Sequence, residues 1–196
     1  MKKLKYSLLC EDETTRVAIK ILFERIAVEK AECVFDNSYF KQFRCRNNKD
    51  VLKALPQASA YTVLPKYNLD LLLAGIDFDD RPKANFEKEL QNLYNRVDTI
   101  AKNKTIIFSP VQAIEHWLYI LQFKIENPAS TKNISDEVEN TRRKDLKNKM
   151  YKPGVIKEEL SEKLSLQGNI DWLVTRSKSF KKFYQQTTDF LNLFVK

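Results

Sequence analysis

Leu69-Asp70-Leu71-Leu72-Leu73-Ala74-Gly75-Ile76-Asp77-Phe78-Asp79-Asp80 decides how this chain is read. The apolar run is short enough for a strand buried on both faces, and it ends in a cluster of carboxylates. Side chains alternate direction along an extended backbone, so Asp77 and Asp79 point to one side. Together they can converge on a hard cation such as Mg²⁺ or Mn²⁺. Asp80, just before Arg81-Pro82, is better suited to cap a helix than to bind metal. A second stretch behaves alike: Lys5-Tyr6-Ser7-Leu8-Leu9-Cys10 runs directly into Glu11-Asp12-Glu13. Two buried strands that both exit into acids predict one site at the carboxyl edge of a parallel sheet.

Composition narrows the chemistry. A chain of 196 residues, 43% hydrophobic and 31% charged, can bury one substantial core with an elaboration. It has only three glycines, and neither a Walker A loop nor a Gly-x-Gly-x-x-Gly turn is present. His116 is the only histidine, which argues against His/Cys zinc clusters and against Ser-His-Asp or Cys-His hydrolases. Three widely spaced cysteines, Cys10, Cys33 and Cys45, suit a reducing compartment better than a disulfide framework. The N-terminal apolar stretch is too short for a signal peptide and no run is long enough to span a membrane, so a cytoplasmic location is expected. The excess charge is concentrated: residues 141–196 hold 13 Lys and Arg against 6 Asp and Glu, nearly all of the net +8. A basic region beside a metal-binding edge predicts a polyanionic substrate.

Periodicity sets out the elements. A first strand is expected over 4–10, a helix over 13–28 and a short strand over 32–35. A polar helical segment follows over 38–55, which Pro56 should end. Residues 57–68 read as loop with an extended piece at 60–64. The central strand covers 69–77, a helix 83–101 and a strand 105–108. Ser109-Pro110 should open the next helix and Asn127-Pro128 stop it. Residues 129–148 are polar and loosely helical, and helices over 155–166 and 170–194 flank Gly168. Alternation of this kind predicts an α/β fold: a mainly parallel four-stranded sheet flanked by helices over 1–127, with a basic helical extension over 128–196 packed on it. On this reading Trp117, Leu118 and Leu121 are core. Phe180, Phe183, Tyr184, Phe190 and Phe194 are also core rather than a stacking platform.

Several of these motifs resemble a known family. Leu8-Leu9-Cys10-Glu11-Asp12-Glu13-Thr14-Thr15 is similar to the first strand and turn of Toprim domains, and Ile76-Asp77-Phe78-Asp79-Asp80 to their Asp-x-Asp motif. The nearest likeness is to RloB-like Toprim proteins of bacterial defence loci. Phe108-Ser109-Pro110 followed by Ile114-Glu115-His116-Trp117-Leu118 resembles a later motif of that family, and Lys149-Met150-Tyr151-Lys152 and Arg176-Ser177-Lys178 resemble its tail. Asp12 stands where that family usually has Gly.

The resemblance implies a Mg²⁺- or Mn²⁺-dependent nuclease cutting phosphodiester bonds in DNA or RNA, tRNA included, as an effector of antiphage defence. Asp77 and Asp79 would be metal ligands and Glu11 a ligand or proton shuttle. Glu115 would be a further acid of the site. An ATPase or other defence protein would be the partner. Arg142, Arg143 and Lys144 are candidates for contacts to nucleic-acid phosphates, as are Lys149, Lys152, Arg176 and Lys178. Two other readings compete: a response-regulator receiver, with Lys152-Pro153 in place of its Lys-Pro, and a Toprim-like subunit that binds nucleic acid without cutting.

Overall fold

The computed structural model describes residues 1–78 and 85–196. Asp79 and Asp80 therefore lie outside the described residues, as does Pro82. Four strands form one all-parallel sheet in the order β2-β1-β3-β4: β1 Lys2–Leu9, β2 Ala31–Phe35, β3 Leu71–Gly75 and β4 Thr105–Phe108. Helices α1 Glu13–Ala27, α2 Asn37–Gln42, α3 Asn48–Tyr61, α4 Phe86–Asn95 and α5 Ile114–Glu126 follow in chain order. The C-terminal part adds α6 Ser135–Asn140, α7 Arg143–Met150, α8 Lys157–Gln167, α9 Ile170–Arg176 and α10 Lys178–Phe194.

The two faces of the sheet follow from strand alternation. Leu4, Tyr6 and Leu8 of β1 join Leu71 and Leu73 of β3 and Ile106 and Phe108 of β4 in one core. Leu9, Leu72, Ala74 and Ile107 point the other way, into a second core with Val51 and Leu55 of α3 and Leu90 and Leu93 of α4. A sheet buried on both faces needs continuous apolar strands, and Leu71–Gly75 is buried throughout. The basic C-terminal helices complete the first core. Leu164, Leu173, Phe180, Phe183 and Leu191 belong to the same cluster as Trp117 and Leu4 and Leu8 of β1. Trp117 packs on Phe180 and Phe183, with ring centroids 5.0 and 5.9 Å away. Its indole N–H donates to Ser179 Oγ at 2.8 Å.

Gly75 matters to this edge. It pairs with Phe108 of β4, and a Cβ on it would meet the Phe108 carbonyl oxygen at 2.2 Å and its ring at 2.5 Å. Only glycine lets the exits of β3 and β4 run this close. Contact continues past both strand ends: Ser109 Oγ donates to the Ile76 carbonyl at 2.8 Å, and Phe78 N–H to the Pro110 carbonyl at 3.0 Å.

Several element boundaries differ from expectation. Pro56 does not end α3, which runs on to Tyr61. Its ring is on an exposed face, where water can satisfy the carbonyl left without a donor. The extended piece at 60–64 is thus helix end and turn. The polar 38–55 segment is two helices, α2 and α3, each capped by its own side chain: Asp36 accepts from Tyr39 N–H and Asn47 from Asp50 N–H. The 83–101 helix is α4 followed by a 3-10 turn at Thr99–Lys104. Ser109-Pro110 precedes α5 without opening it, because the helix begins at Ile114. The polar stretch after Pro128 forms α6 and α7. The expected 170–194 helix breaks at Ser177, which ends α9 and caps α10 through Phe180 N–H.

Candidate active site at the carboxyl edge of the sheet

Adjacent strands β1 and β3 deliver the acids. Glu11 follows β1 by two residues and is 8% exposed; Asp77 follows β3 by two residues and is 1% exposed. Between Glu11 and α1, Asp12 caps the helix, its carboxylate accepting from Thr15 N–H at 2.7 Å. Asp12 is extended, with φ −144°, so the turn does not depend on a glycine there. Asp77 also acts across elements. Ala113, the residue preceding α5, has no capping side chain, and Asp77 Oδ1 accepts from Ile114 N–H at 3.1 Å instead. The amide of Asn48, at the start of α3, donates to the Asp77 carbonyl at 3.2 Å.

The two carboxyl groups meet. Burial pushes Asp77 well above the ordinary carboxylate range; the charge of nearby Glu11 and a direct carboxyl–carboxyl contact push the same way, and Arg143 opposes them. Arg143, the first residue of α7, reaches both acids: its Nη2 lies 3.3 Å from Glu11 Oε1 and 3.2 Å from Asp77 Oδ2. Asp77 Oδ2 is nonetheless a buried oxygen with no aligned hydrogen bond among the described residues.

Glu115, in the first turn of α5, is 1% exposed and forms the adjoining part of the site. Lys147 Nζ approaches its Oε1 at 3.2 Å, and the Tyr151 hydroxyl donates to the same oxygen at 3.2 Å. Its Oε2 is buried and has no hydrogen-bond partner among the described residues. Arg143 and Lys147 are one helical turn apart, so α7 lays two cations on the acids from one face while Leu146 and Met150 anchor it in the core.

The structure thus brings together Glu11, Asp77 and Glu115, while Asp79 lies outside the described residues. Arg143, read from sequence as a phosphate contact, pairs with the acids. Arg142, Lys144, Lys149 and Lys152 are exposed. Arg176 packs over the Trp172 ring at 4.4 Å and donates to the Thr131 carbonyl at 3.3 Å, a position that fixes the α9 end. Lys178 is exposed at the start of α10. His116 is buried, its Nε2 3.1 Å from the Thr141 carbonyl. Sequence reading missed Lys147 as a site residue. Its spacing of four from Arg143 was the available signal.

Among the described residues, no group of three or more His, Cys, Asp or Glu side chains is arranged to hold a metal ion. The donor chemistry of the pair still suits a hard divalent cation. Glu11 and Asp77 offer carboxylate oxygens only, one of which, Asp77 Oδ2, takes no hydrogen bond among the described residues, and Mg²⁺ commonly takes just one or two protein carboxylates with water completing its shell. No helix among the described residues is long and apolar enough to cross a membrane. No protein-family model matches the chain, and comparison with curated proteins and with solved structures finds no match. What stands is the class: an α/β protein with a parallel sheet and a buried carboxylate pair at its carboxyl edge.

Proposed function

We propose that this protein is a divalent-metal-dependent nuclease of Toprim type, hydrolysing phosphodiester bonds in DNA or RNA. One observation carries the reading: acids leaving two adjacent parallel strands, Glu11 and Asp77, meet in a buried position where, among the described residues, Arg143 sets one positive charge against two carboxylates, a deficit that a divalent cation would make good. The sequence resemblance to RloB-like Toprim proteins supplies the substrate class and a role in antiphage defence, alone or with an ATPase partner.

Glu11 and Asp77 would hold Mg²⁺ or Mn²⁺, with Asp79 as the sequence-expected third ligand. Bound there, the metal would lower the pKa of a water and neutralise charge on the scissile phosphate. The chain's own residues do the rest. Ile114 N–H fixes Asp77 Oδ1, so the carboxylate cannot swing away from the edge. Glu11, the more accessible of the two, is placed to accept and return a proton at its carboxylate. Lys147 and Tyr151 hold Glu115 in place behind the pair.

A receiver reading fits less well. In a receiver the lysine of the Lys-Pro pair would reach the phosphoacceptor, whereas the cation on Asp77 is Arg143 of α7. Lys152 is exposed and makes no ion pair among the described residues. The test is cleavage of labelled single- and double-stranded DNA, RNA and tRNA with Mg²⁺ or Mn²⁺. Wild-type protein should cut at least one, and Glu11→Gln and Asp77→Asn should abolish cutting while keeping the wild-type circular dichroism. No cutting of any substrate, with or without genomic-neighbour proteins, would overturn the proposal.

A further inference from the structure

Beside Glu11 lies a cleft of about 510 Å³ whose walls differ in charge balance. One wall is the β1 exit, Cys10 to Glu13; the other is the corner between α2 and α3, with Phe40, Arg44, Cys45 and Arg46. The acids of the first wall are all engaged. Glu11 pairs with Arg143, Asp12 caps α1, and Glu13 is bound by Arg16, whose Nε donates to it at 2.8 Å. The arginines of the second wall are not. Arg44 and Arg46 are exposed and make no ion pair among the described residues.

The corner is built to hold them there. Phe43 and Cys45 are buried while Arg44 and Arg46 alternate outward, so the apolar pair anchors the segment and both guanidiniums face solvent on one side. Cys45 Sγ contacts the Phe43 carbonyl at 3.3 Å, and Arg46 N–H donates to Asp50 at 3.1 Å. Asn47 caps α3, and the next residue, Asn48, bonds the Asp77 carbonyl. The arginine corner is therefore tied directly to the exit of β3. A second depression of about 490 Å³ shares Glu13, Phe40 and Arg44 with the first and extends it past Lys41. The result is a trough leading outward from Glu11, with net positive charge available to a ligand and the half-buried Phe40 in its lining.

We propose that this trough binds the phosphodiester backbone of a single nucleic-acid strand, with Arg44 and Arg46 gripping phosphates next to the one presented to Glu11. Guanidinium pairs match phosphate oxygens in fork geometry, and a pocket of this volume suits a nucleotide-sized ligand. The substrate class rests on the nuclease reading, but the site is the trough and not the basic C-terminal helices.

The test measures binding in EDTA, so that neither metal nor cleavage enters. Fluorescence anisotropy with labelled 12-nucleotide DNA and RNA strands compares wild type, Arg44→Gln/Arg46→Gln and Lys149→Gln/Lys152→Gln, with a mononucleotide as competitor. Loss of two phosphate contacts should weaken strand binding about tenfold at 0.15 M salt and lower the salt slope by about 1.4. The helix variant should change little, Arg44→Lys/Arg46→Lys should recover part of the affinity, and the mononucleotide should compete weakly. Unchanged binding in the Gln pair, loss confined to the helix variant, or no strand binding by wild type would overturn the proposal. A mononucleotide that binds as tightly as a strand would also overturn it. Strand binding through the trough without cleavage would sink the nuclease reading and leave this one standing.

Discussion

Replacing Arg143 by Gln removes the one cation that, among the described residues, Glu11 and Asp77 share. At an effective dielectric of about 20, a pair of unit charges near 3.2 Å is worth about 5 kcal/mol, most of it offset by the cost of burying the charges. Removing one member of a buried pair leaves that cost uncompensated, and the expected loss is about 3–5 kcal/mol. The loss should depend on pH. Asp77 binds its proton more tightly folded than unfolded, so its titration favours the fold below the usual carboxylate value, and that contribution disappears as pH rises through the raised native value. Arg143→Gln raises the native value further, so its instability should be greatest at neutral and alkaline pH and fade in acid. A divalent cation on the same carboxylates should restore what the guanidinium supplied, by about 2.7 kcal/mol at one hundred times its Kd. Urea unfolding at pH 5 and pH 8, in EDTA and in Mn²⁺, measures all of this. A variant within about 0.5 kcal/mol of wild type in EDTA at pH 8 would refute the buried-pair energetics. A large loss that Mn²⁺ leaves untouched would refute the idea that metal and Arg143 act on the same acids.

Other outcomes follow from the same geometry. Gly75→Ala drives a Cβ to 2.2 Å from the Phe108 carbonyl oxygen, so thermal unfolding should show a loss of about 1–3 kcal/mol; a neutral effect would mean that the two strand exits are not in contact. Asp36 is held down to about 2: burial raises it, but hydrogen bonds from Ser38, Lys5 and Tyr39 N–H outweigh that. Its folded value lies below the unfolded one, so it supports the fold above the usual carboxylate range and the support fades as pH falls towards 2. Asp36→Asn should therefore cost about 1–2 kcal/mol at pH 7 and little at pH 2, read from urea midpoints at each pH. Phe183→Ala, which opens the core beneath Trp117, should cost about 3–5 kcal/mol in urea unfolding, showing that the basic C-terminal helices are integral to the first core.

The sheet was legible because each strand is an unbroken apolar run: Leu71–Ala74 and Ile106–Phe108 have to be buried on both faces, and β-α alternation allows few topologies besides a parallel sheet. Glu11 and Asp77 were legible for the same reason, as the first acids after such runs. Helix limits were less so. Pro56 reads as a terminator in isolation, yet an exposed position lets α3 pass through it. Ser177 splits a continuous amphipathic pattern because its hydroxyl caps the next helix, a competition that periodicity does not register. The cations were the least legible. Arg143 lies in a run of three basic residues with nothing local to separate it from Arg142 and Lys144. Only the packing of Leu146 and Met150 turns Arg143 and Lys147 towards the acids. Arg44 and Arg46 carried a signal in their alternation with Phe43 and Cys45, a two-residue pattern inside a segment read as helical.

Calorimetric titration of Mn²⁺ into wild type and Asp77→Asn shows whether Asp77 holds the metal. Asparagine keeps the volume and the Oδ1 acceptor for Ile114 N–H while removing the charge, so the fold should survive. One Mn²⁺ should bind per wild-type chain and none to the variant. Equal binding by both proteins, or no binding by folded wild type, would contradict this.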